Sequence, residues 1–100
     1  SYDAIAEYTE EGMVVLRGSK ARTEVAPSMV PMSAGKRRQG LIDDGRLKLE
    51  GNAYVFQEDV LFKSPSGASD VVVGASSNGW ILWKSKTGKT LDELKRQPTD

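Results

Sequence analysis

Two clusters of basic side chains are the residues of this sequence best suited to chemistry, and that chemistry is phosphate binding. The first cluster lies between positions 17 and 38, where Glu24 is the one acid beside Arg17, Lys20, Arg22, Lys36, Arg37 and Arg38. The second consists of Lys84, Lys86 and Lys89, with no acid among them. If the fold brings the clusters together, they form a phosphate-binding patch. The alternative is two unrelated solvated faces, since surface lysine and arginine are common.

Two serines and two tryptophans extend this set. Ser64 and Ser66 stand at a predicted helix start, where hydroxyls and free amides can hold a phosphate, although simple capping explains the same residues. Trp80 and Trp83 are predicted to point to opposite faces of a strand. One would enter the core, and the other would stack on a base or contact a protein partner. Asn78, in the turn before them, would touch a base edge.

The sequence contains few of the residue types on which enzymes rely for catalysis. The chain has no Cys and no His, which removes disulfides, thiolate nucleophiles, imidazole bases and the usual zinc ligands. Gly88, Lys89 and Thr90 imitate the end of a phosphate-binding P-loop, but the glycine required five residues before Gly88 is Trp83. We therefore expect no enzyme, no metal site and no cofactor.

The length and the composition indicate one small domain over residues 1–100 with no net charge. The 14 basic and 14 acidic side chains cancel, so no global field draws the protein to nucleic acid or to an anionic membrane. No apolar run approaches the roughly twenty residues that cross a bilayer, and no signal segment opens the chain. We expect a soluble, cytoplasmic protein without a membrane partner. The start at Ser1 fits a piece of a longer protein, and an engineered or processed start would look the same.

Strands and one helix are predicted in the first half. Alternating residues 2–8 predict a strand that turns at 9–12 and pairs with the apolar residues 13–16. Residues 21–32 are predicted to be a connection with one extended piece around 23–25. Ser33 is predicted to cap a helix that ends at Gly45 and carries Lys36, Arg37, Arg38, Leu41 and Ile42.

The second half predicts a hairpin, a capped helix and a further strand. Residues 46–50 and 53–56 flank the turn residues Gly51 and Asn52, and residues 60–62 form another strand. Ser64 and Pro65 start a helix that Gly74 ends, and residues 80–83 form a strand after a turn at Asn78 and Gly79. Thr90 caps a short helix through Leu91 and Leu94. The expected fold is α+β: a single small domain with an antiparallel sheet of about four to six strands, two main helices and a short C-terminal helix.

Residues 61–95 carry an ordered series of motifs. These are Phe62-Lys63-Ser64-Pro65-Ser66-Gly67-Ala68-Ser69, Val73-Gly74, Ser77-Asn78-Gly79-Trp80 with Trp83, and Gly88-Lys89-Thr90-Leu91. The series resembles the SPSxAA…G…NGW…W…L pattern of the restriction-enzyme adenine-methylase associated (RAMA) domain. Gly67 and Ser69 stand where that pattern often has alanine, which loosens the helix but leaves its cap intact.

Over residues 12–96 the chain resembles still more closely an uncharacterised bacterial domain often found C-terminal to GIY-YIG-type nuclease domains. The run MVVLRGSKA at 13–21 matches that family's "GFVVLKGSKA", and Arg38, Leu41, Ile42 and Gly45 match its "R..LI..G" helix. The GIY and YIG segments of the nuclease itself do not occur in this sequence.

The resemblance implies a non-catalytic DNA-binding or reader accessory module of a restriction or DNA-processing protein. The implied partners are DNA, modified at adenine or unmodified, and a fused or associated nuclease or methylase domain. The expected DNA-binding residues are Lys20, Lys36, Arg37, Arg38, Ser64, Ser66, Asn78, Trp80, Trp83 and Lys84. The alternative is a protein-interaction or scaffolding domain that docks a nuclease or methylase partner. It predicts an exposed apolar patch around a tryptophan, with the basic residues scattered.

Overall fold

Six short strands and four α-helices occupy residues 2–84 and 89–95, the part of the chain that the computed structural model describes. In chain order they are β1 (Ala6–Thr9), β2 (Gly12–Val15), β3 (Lys20–Ala21), α1 (Ser33–Asp43), β4 (Leu47–Glu50), β5 (Ala53–Phe56), β6 (Val60–Phe62), α2 (Pro65–Val73), α3 (Gly79–Leu82) and α4 (Leu91–Lys95). A 3-10 turn at Pro27–Met29 precedes α1. The predicted α+β class, with two main helices and a short C-terminal one, is confirmed.

The strands form two antiparallel sheets of three strands each, where the sequence predicted one sheet. One sheet has the order β1-β2-β6, and the other has the order β3-β5-β4. The chain leaves β2 through Gly18, whose positive φ of 88° turns it away from that sheet. The Gly18 amide donates to the Phe56 carbonyl at 2.9 Å, so the next strand pairs with β5.

Two strand predictions need correction. The strand predicted over 2–8 becomes regular only at Ala6, after an isolated bridge between Asp3 and Lys20. Residues 23–25, where one extended piece was predicted, form no regular strand, and the strand β3 lies just before them at Lys20–Ala21. The β4-β5 hairpin and β6 lie where the sequence predicted them, because turn residues and apolar alternation define them locally.

The two main helices begin differently. The Ser64 Oγ accepts a hydrogen bond from the Gly67 amide at 3.0 Å, and Pro65 is the first residue of α2, as predicted. For α1 the predicted cap was wrong, because Met32 occupies the N-cap position without a side-chain hydrogen bond and Ser33 is already helical. The predicted ends of both helices, at Gly45 and Gly74, are confirmed.

The strand predicted over residues 80–83 is instead the short helix α3. Asn78 caps it, with its Oδ1 accepting from the Trp80 amide at 3.0 Å, and the Leu82 amide donates to the Asn78 carbonyl at 2.8 Å. The tryptophan-rich run has a strong strand preference, but packing against α2 overrides it.

Helix α2 lies at the centre of the core. It contacts β2 and β6 of one sheet, β3 of the other, and both α1 and α3. Its Val71 and Val72 are almost fully buried together with Val15, Leu41, Leu47, Phe56 and Val60. Within the described residues, the structure contains no helix of the length and apolarity needed to span a membrane.

Candidate nucleic-acid interface

An open groove of about 650 Å³ lies between the first half of α1 and the start of α2, and we call it the α1–α2 groove. It is lined by Ser33, Ala34, Arg37, Leu61, Phe62, Lys63, Ser64, Ser66, Gly67 and Asp70. Three of the predicted site residues, Arg37, Ser64 and Ser66, therefore come together here. This proximity could not be predicted from the sequence, because a hairpin and a strand separate α1 from α2 along the chain.

Arg37 is held beside the edge of the first sheet. Its Nη2 donates to the carbonyl of Leu61 at 3.3 Å, and its guanidinium carbon lies 5.6 Å from the ring centroid of Phe62. Among the described residues, strand β6 pairs only with β2, and Arg37 bonds to a carbonyl of this edge strand. Because the side chain is exposed and makes one long hydrogen bond to the described part of the chain, its other N–H groups are available to an anion in the groove.

Lys63 is a groove residue that the sequence prediction missed. It lies directly between the end of β6 and the cap Ser64, and it is exposed. The signal was present as a lysine immediately before a Ser-Pro helix start, where a cation and the helix amides favour the same anion.

The two serines already have roles in the fold. The Ser64 Oγ accepts from the Gly67 amide, and the Ser66 Oγ accepts from the Gly79 amide, each at 3.0 Å. Capping therefore explains Ser64, and an anchor to α3 explains Ser66. Each hydroxyl uses an oxygen lone pair in these bonds and keeps a hydrogen to donate.

One carboxylate, Asp70, also lines the α1–α2 groove. Its Oδ1 accepts from both the amide and the hydroxyl of Ser77, each at 2.7 Å. These two donors offset part of the negative charge, so the groove keeps two exposed cations against one hydrogen-bonded acid.

The other basic residues of the first predicted cluster do not join this groove. Arg22 forms an ion pair with Glu24 at 3.1 Å. Lys20 lies exposed on β3, paired through its backbone with Val55 and bridged to Asp3. Lys36 lines a separate cavity, the Arg38 groove, with Thr23, Val25, Val30, Gly35, Arg38, Gln39, Ile42 and Tyr54. The predicted cluster is thus divided among several surfaces.

Arg38, predicted as a phosphate contact, is 2% exposed and belongs to the interior. Its Nη1 donates to the Val71 carbonyl at 2.8 Å, and its Nη2 donates to the Arg22 carbonyl. The guanidinium carbon lies 5.2 Å from the centre of the Tyr54 ring. Burial lowers the pKa of Arg38 from its ordinary value, and the charge interaction with Tyr54 opposes that change. The side chain cannot reach a phosphate on the outer surface, so that prediction is corrected.

The predicted base-contact residues form the junction between α2 and α3. The Trp83 Nε1 donates to the Pro65 carbonyl at 3.0 Å, and Trp80 packs edge-on against Tyr8 with ring centroids 5.5 Å apart. Both tryptophans are half-buried. With Asn78 capping α3, the NGW…W motif has a packing role that needs no ligand.

The second basic cluster lies near an apolar cavity. Lys84 is exposed and lines a groove of about 740 Å³, the Trp83 groove, with Ala4, Ile5, Ala6, Glu7, Tyr8, Thr9, Met13, Trp83, Leu91 and Leu94. Lys89 is exposed, and Lys86 and Gly88 lie outside the described residues. The described lysines of this cluster do not line the α1–α2 groove.

The fold and these grooves define a small α+β module. The family model for a domain of unknown function, DUF4357, matches residues 1–95, and the chain belongs to that family. The match begins earlier than the family-like segment 12–96 expected from the motifs. Neither the curated proteins nor the solved structures contain a significant match.

Proposed function

We propose that this domain is a non-catalytic DNA-binding accessory module of a restriction or DNA-processing protein. The observation that carries the proposal is the α1–α2 groove, where the exposed cations Arg37 and Lys63 meet the amino end of α2. Helix amides, hydroxyls and basic side chains are the groups that proteins use to hold DNA phosphates. The resemblance to RAMA domains and to domains that follow GIY-YIG nucleases supports a parent protein that acts on DNA.

The groove favours contact with the sugar–phosphate backbone over reading of bases. Asn78, Trp80 and Trp83 are held in the α2–α3 junction, so the groups suited to base edges and stacking have roles in the fold. Backbone contacts fix position but carry no sequence information directly. We therefore expect weak, salt-sensitive binding with a Kd on the order of 10⁻⁴ to 10⁻⁶ M, the range typical of non-specific complexes.

Replacing Arg37 tests this proposal. Fluorescence anisotropy with methylated and unmethylated duplexes at low salt is expected to show binding to both. The slope of log K against log salt should become shallower by about one in R37A, because one phosphate contact is lost. Lys63→Ala should have a similar effect.

Lys48→Ala is the matched control, since Lys48 is an exposed lysine on β4 outside the α1–α2 groove. Its affinity and salt slope should equal those of the wild type. The proposal fails if the wild type shows no salt-sensitive binding, or if R37A and K48A behave alike.

A second candidate function is the docking of a nuclease or methylase domain on the Trp83 groove. The specific observation is the exposure of large apolar side chains around it: Ile5 is 66% exposed, Leu94 45% and Tyr8 39%. Exposed apolar side chains around a tryptophan are typical of protein–protein contact surfaces.

A further inference from the structure

The buried charge of Arg38 has no anionic partner in the described part of the chain. The ion pairs there join Arg22 to Glu24 and Arg46 to Asp44, and Arg38 is in neither. Its two terminal nitrogens bond to neutral carbonyls, and its Nε is buried without a hydrogen-bond partner. A buried cation without an anion or a complete set of acceptors is unfavourable, and this side chain has neither.

The cavity beside this charge has the size and lining of a small-ligand site. The Arg38 groove measures about 360 Å³, within the range of small-molecule sites. A second cation, Lys36, lines it and is exposed. Polar groups come from Thr23, Gln39 and Tyr54.

No carboxylate lies among the described residues that line the Arg38 groove. The nearest acid along α1, Asp43, accepts a hydrogen bond from the Gln39 Nε2 at 2.8 Å but is not a lining residue. Glu24, next to the lining residues Thr23 and Val25, is bonded to Arg22. The groove therefore combines two cations with no opposing charge in its wall, which favours an anionic occupant.

We propose that the Arg38 groove binds a small molecule through an anionic oxygen group, either carboxylate or phosphate. Lys36 contacts that group directly, and Arg38 contributes its positive charge from the buried wall. The site is separate from the α1–α2 groove, because the adjacent side chain of Arg37 lines the latter and not the former. The inference therefore stands independently of the DNA-binding proposal.

Amide NMR titration of the ¹⁵N-labelled chain tests the site, using inorganic phosphate, succinate and a nucleoside monophosphate at constant ionic strength. Saturable shifts are expected at the amides of Thr23, Gly35 and Gln39. In Lys36→Ala the Kd should rise about tenfold, the effect of losing one charge-assisted hydrogen bond. Binding of phosphate compounds alone, of succinate alone, or of both supports the site and identifies its ligand chemistry.

A matched control isolates the Arg38 groove. Lys48→Ala removes a lysine from another surface, so it should bind these anions with the wild-type Kd. Lys36→Ala should fold as the wild type does. The exposed Lys36 side chain makes no hydrogen bond or ion pair with the described residues, and alanine keeps the backbone bond of this position. The proposal is overturned if no anion gives saturable shifts, or if Lys36→Ala binds as tightly as the wild type.

Discussion

Gly79 shows how a single residue of the NGW…W motif contributes to the fold. A Cβ at this position would overlap the carbonyl carbon and oxygen of Pro65, and the Gly79 amide donates to the Ser66 Oγ at 3.0 Å. The start of α3 therefore lies directly on the first turn of α2. A side chain here meets backbone atoms, which cannot swing aside as a flexible side chain could.

We predict that Gly79→Ala lowers the free energy of unfolding by about 1–3 kcal/mol, the usual cost of overpacking. Urea denaturation followed by tryptophan fluorescence measures the change. Gly40→Ala is the matched control, because position 40 lies inside α1 and an added Cβ meets no atom within 4 Å. That variant should gain about 0.5–1 kcal/mol from helix propensity. Equal stability of the two variants would contradict the packing role of Gly79.

The run Lys36-Arg37-Arg38 marks where sequence reasoning fails at the residue scale. Successive residues of a helix point in different directions, so these cations reach two grooves and the interior. The carbonyl partners of Arg38 lie 33 and 16 residues away along the chain. No local pattern indicates which member of a basic run will be buried.

At the scale of elements, α4 begins with a reciprocal pair of hydrogen bonds. The Glu93 amide donates to the Thr90 Oγ1 at 3.2 Å, and the Thr90 amide donates to the Glu93 Oε1 at 3.0 Å. The Thr90 hydroxyl also donates to that oxygen at 3.1 Å. These bonds to the ionised form hold the pKa of Glu93 below its ordinary value, with the backbone bond the largest cause.

We predict that Thr90→Ala raises the pKa of Glu93 toward its ordinary value, while Thr90→Ser keeps it low. Carboxyl ¹³C NMR titration measures both. Since the pKa is depressed in the folded chain, the contribution to stability is present above the ordinary pKa of glutamate. It is lost as the pH falls through the depressed value. An unchanged pKa in Thr90→Ala would show that the bond from the Thr90 hydroxyl to Glu93 does not form in solution, since alanine keeps the backbone bond.

Elements with their own start and stop signals were predictable from the sequence, and the others were not. The β4-β5 hairpin has a Gly-Asn turn between alternating strands, and α2 has its Ser-Pro start and its terminal Gly74. The helix α3 has a strand-like composition, and its conformation depends on contact with α2. The two-residue β3 is too short to leave a periodic pattern.

For the molecule as a whole, the arrangement of surfaces separates the two candidate functions. The α1–α2 groove and the Trp83 groove have no lining residue in common. The sequence alone could not assign a function to either groove. Because the net charge is zero, the binding properties of each surface depend on where a few side chains lie in the fold. Variants on one surface should therefore leave the other activity intact.

We predict that Ile5→Ser weakens binding to a nuclease or methylase domain of the parent system if the Trp83 groove docks it. Isothermal titration calorimetry should show about a tenfold or larger rise in Kd, since an exposed isoleucine would be buried on docking. Leu49→Ser is the control, because Leu49 is 59% exposed on β4, away from that groove. Equal Kd values for both variants would exclude docking at this surface, and Ile5→Ser should bind DNA as the wild type does.

The α2–α3 junction also affects what family membership can tell about other proteins. Its motif residues are held by hydrogen bonds within and between the two helices: Ser66 bonds to Gly79, Trp83 to the Pro65 carbonyl, Ser64 to the Gly67 amide and Asn78 to the Trp80 amide. A sequence motif built on these positions therefore identifies proteins that can form this α2–α3 junction, irrespective of the ligand that they bind. We expect proteins found in this way to share a scaffold and to differ in ligand. Their specificity should be sought at positions equivalent to Lys36, Arg37 and Lys63, which the junction does not constrain.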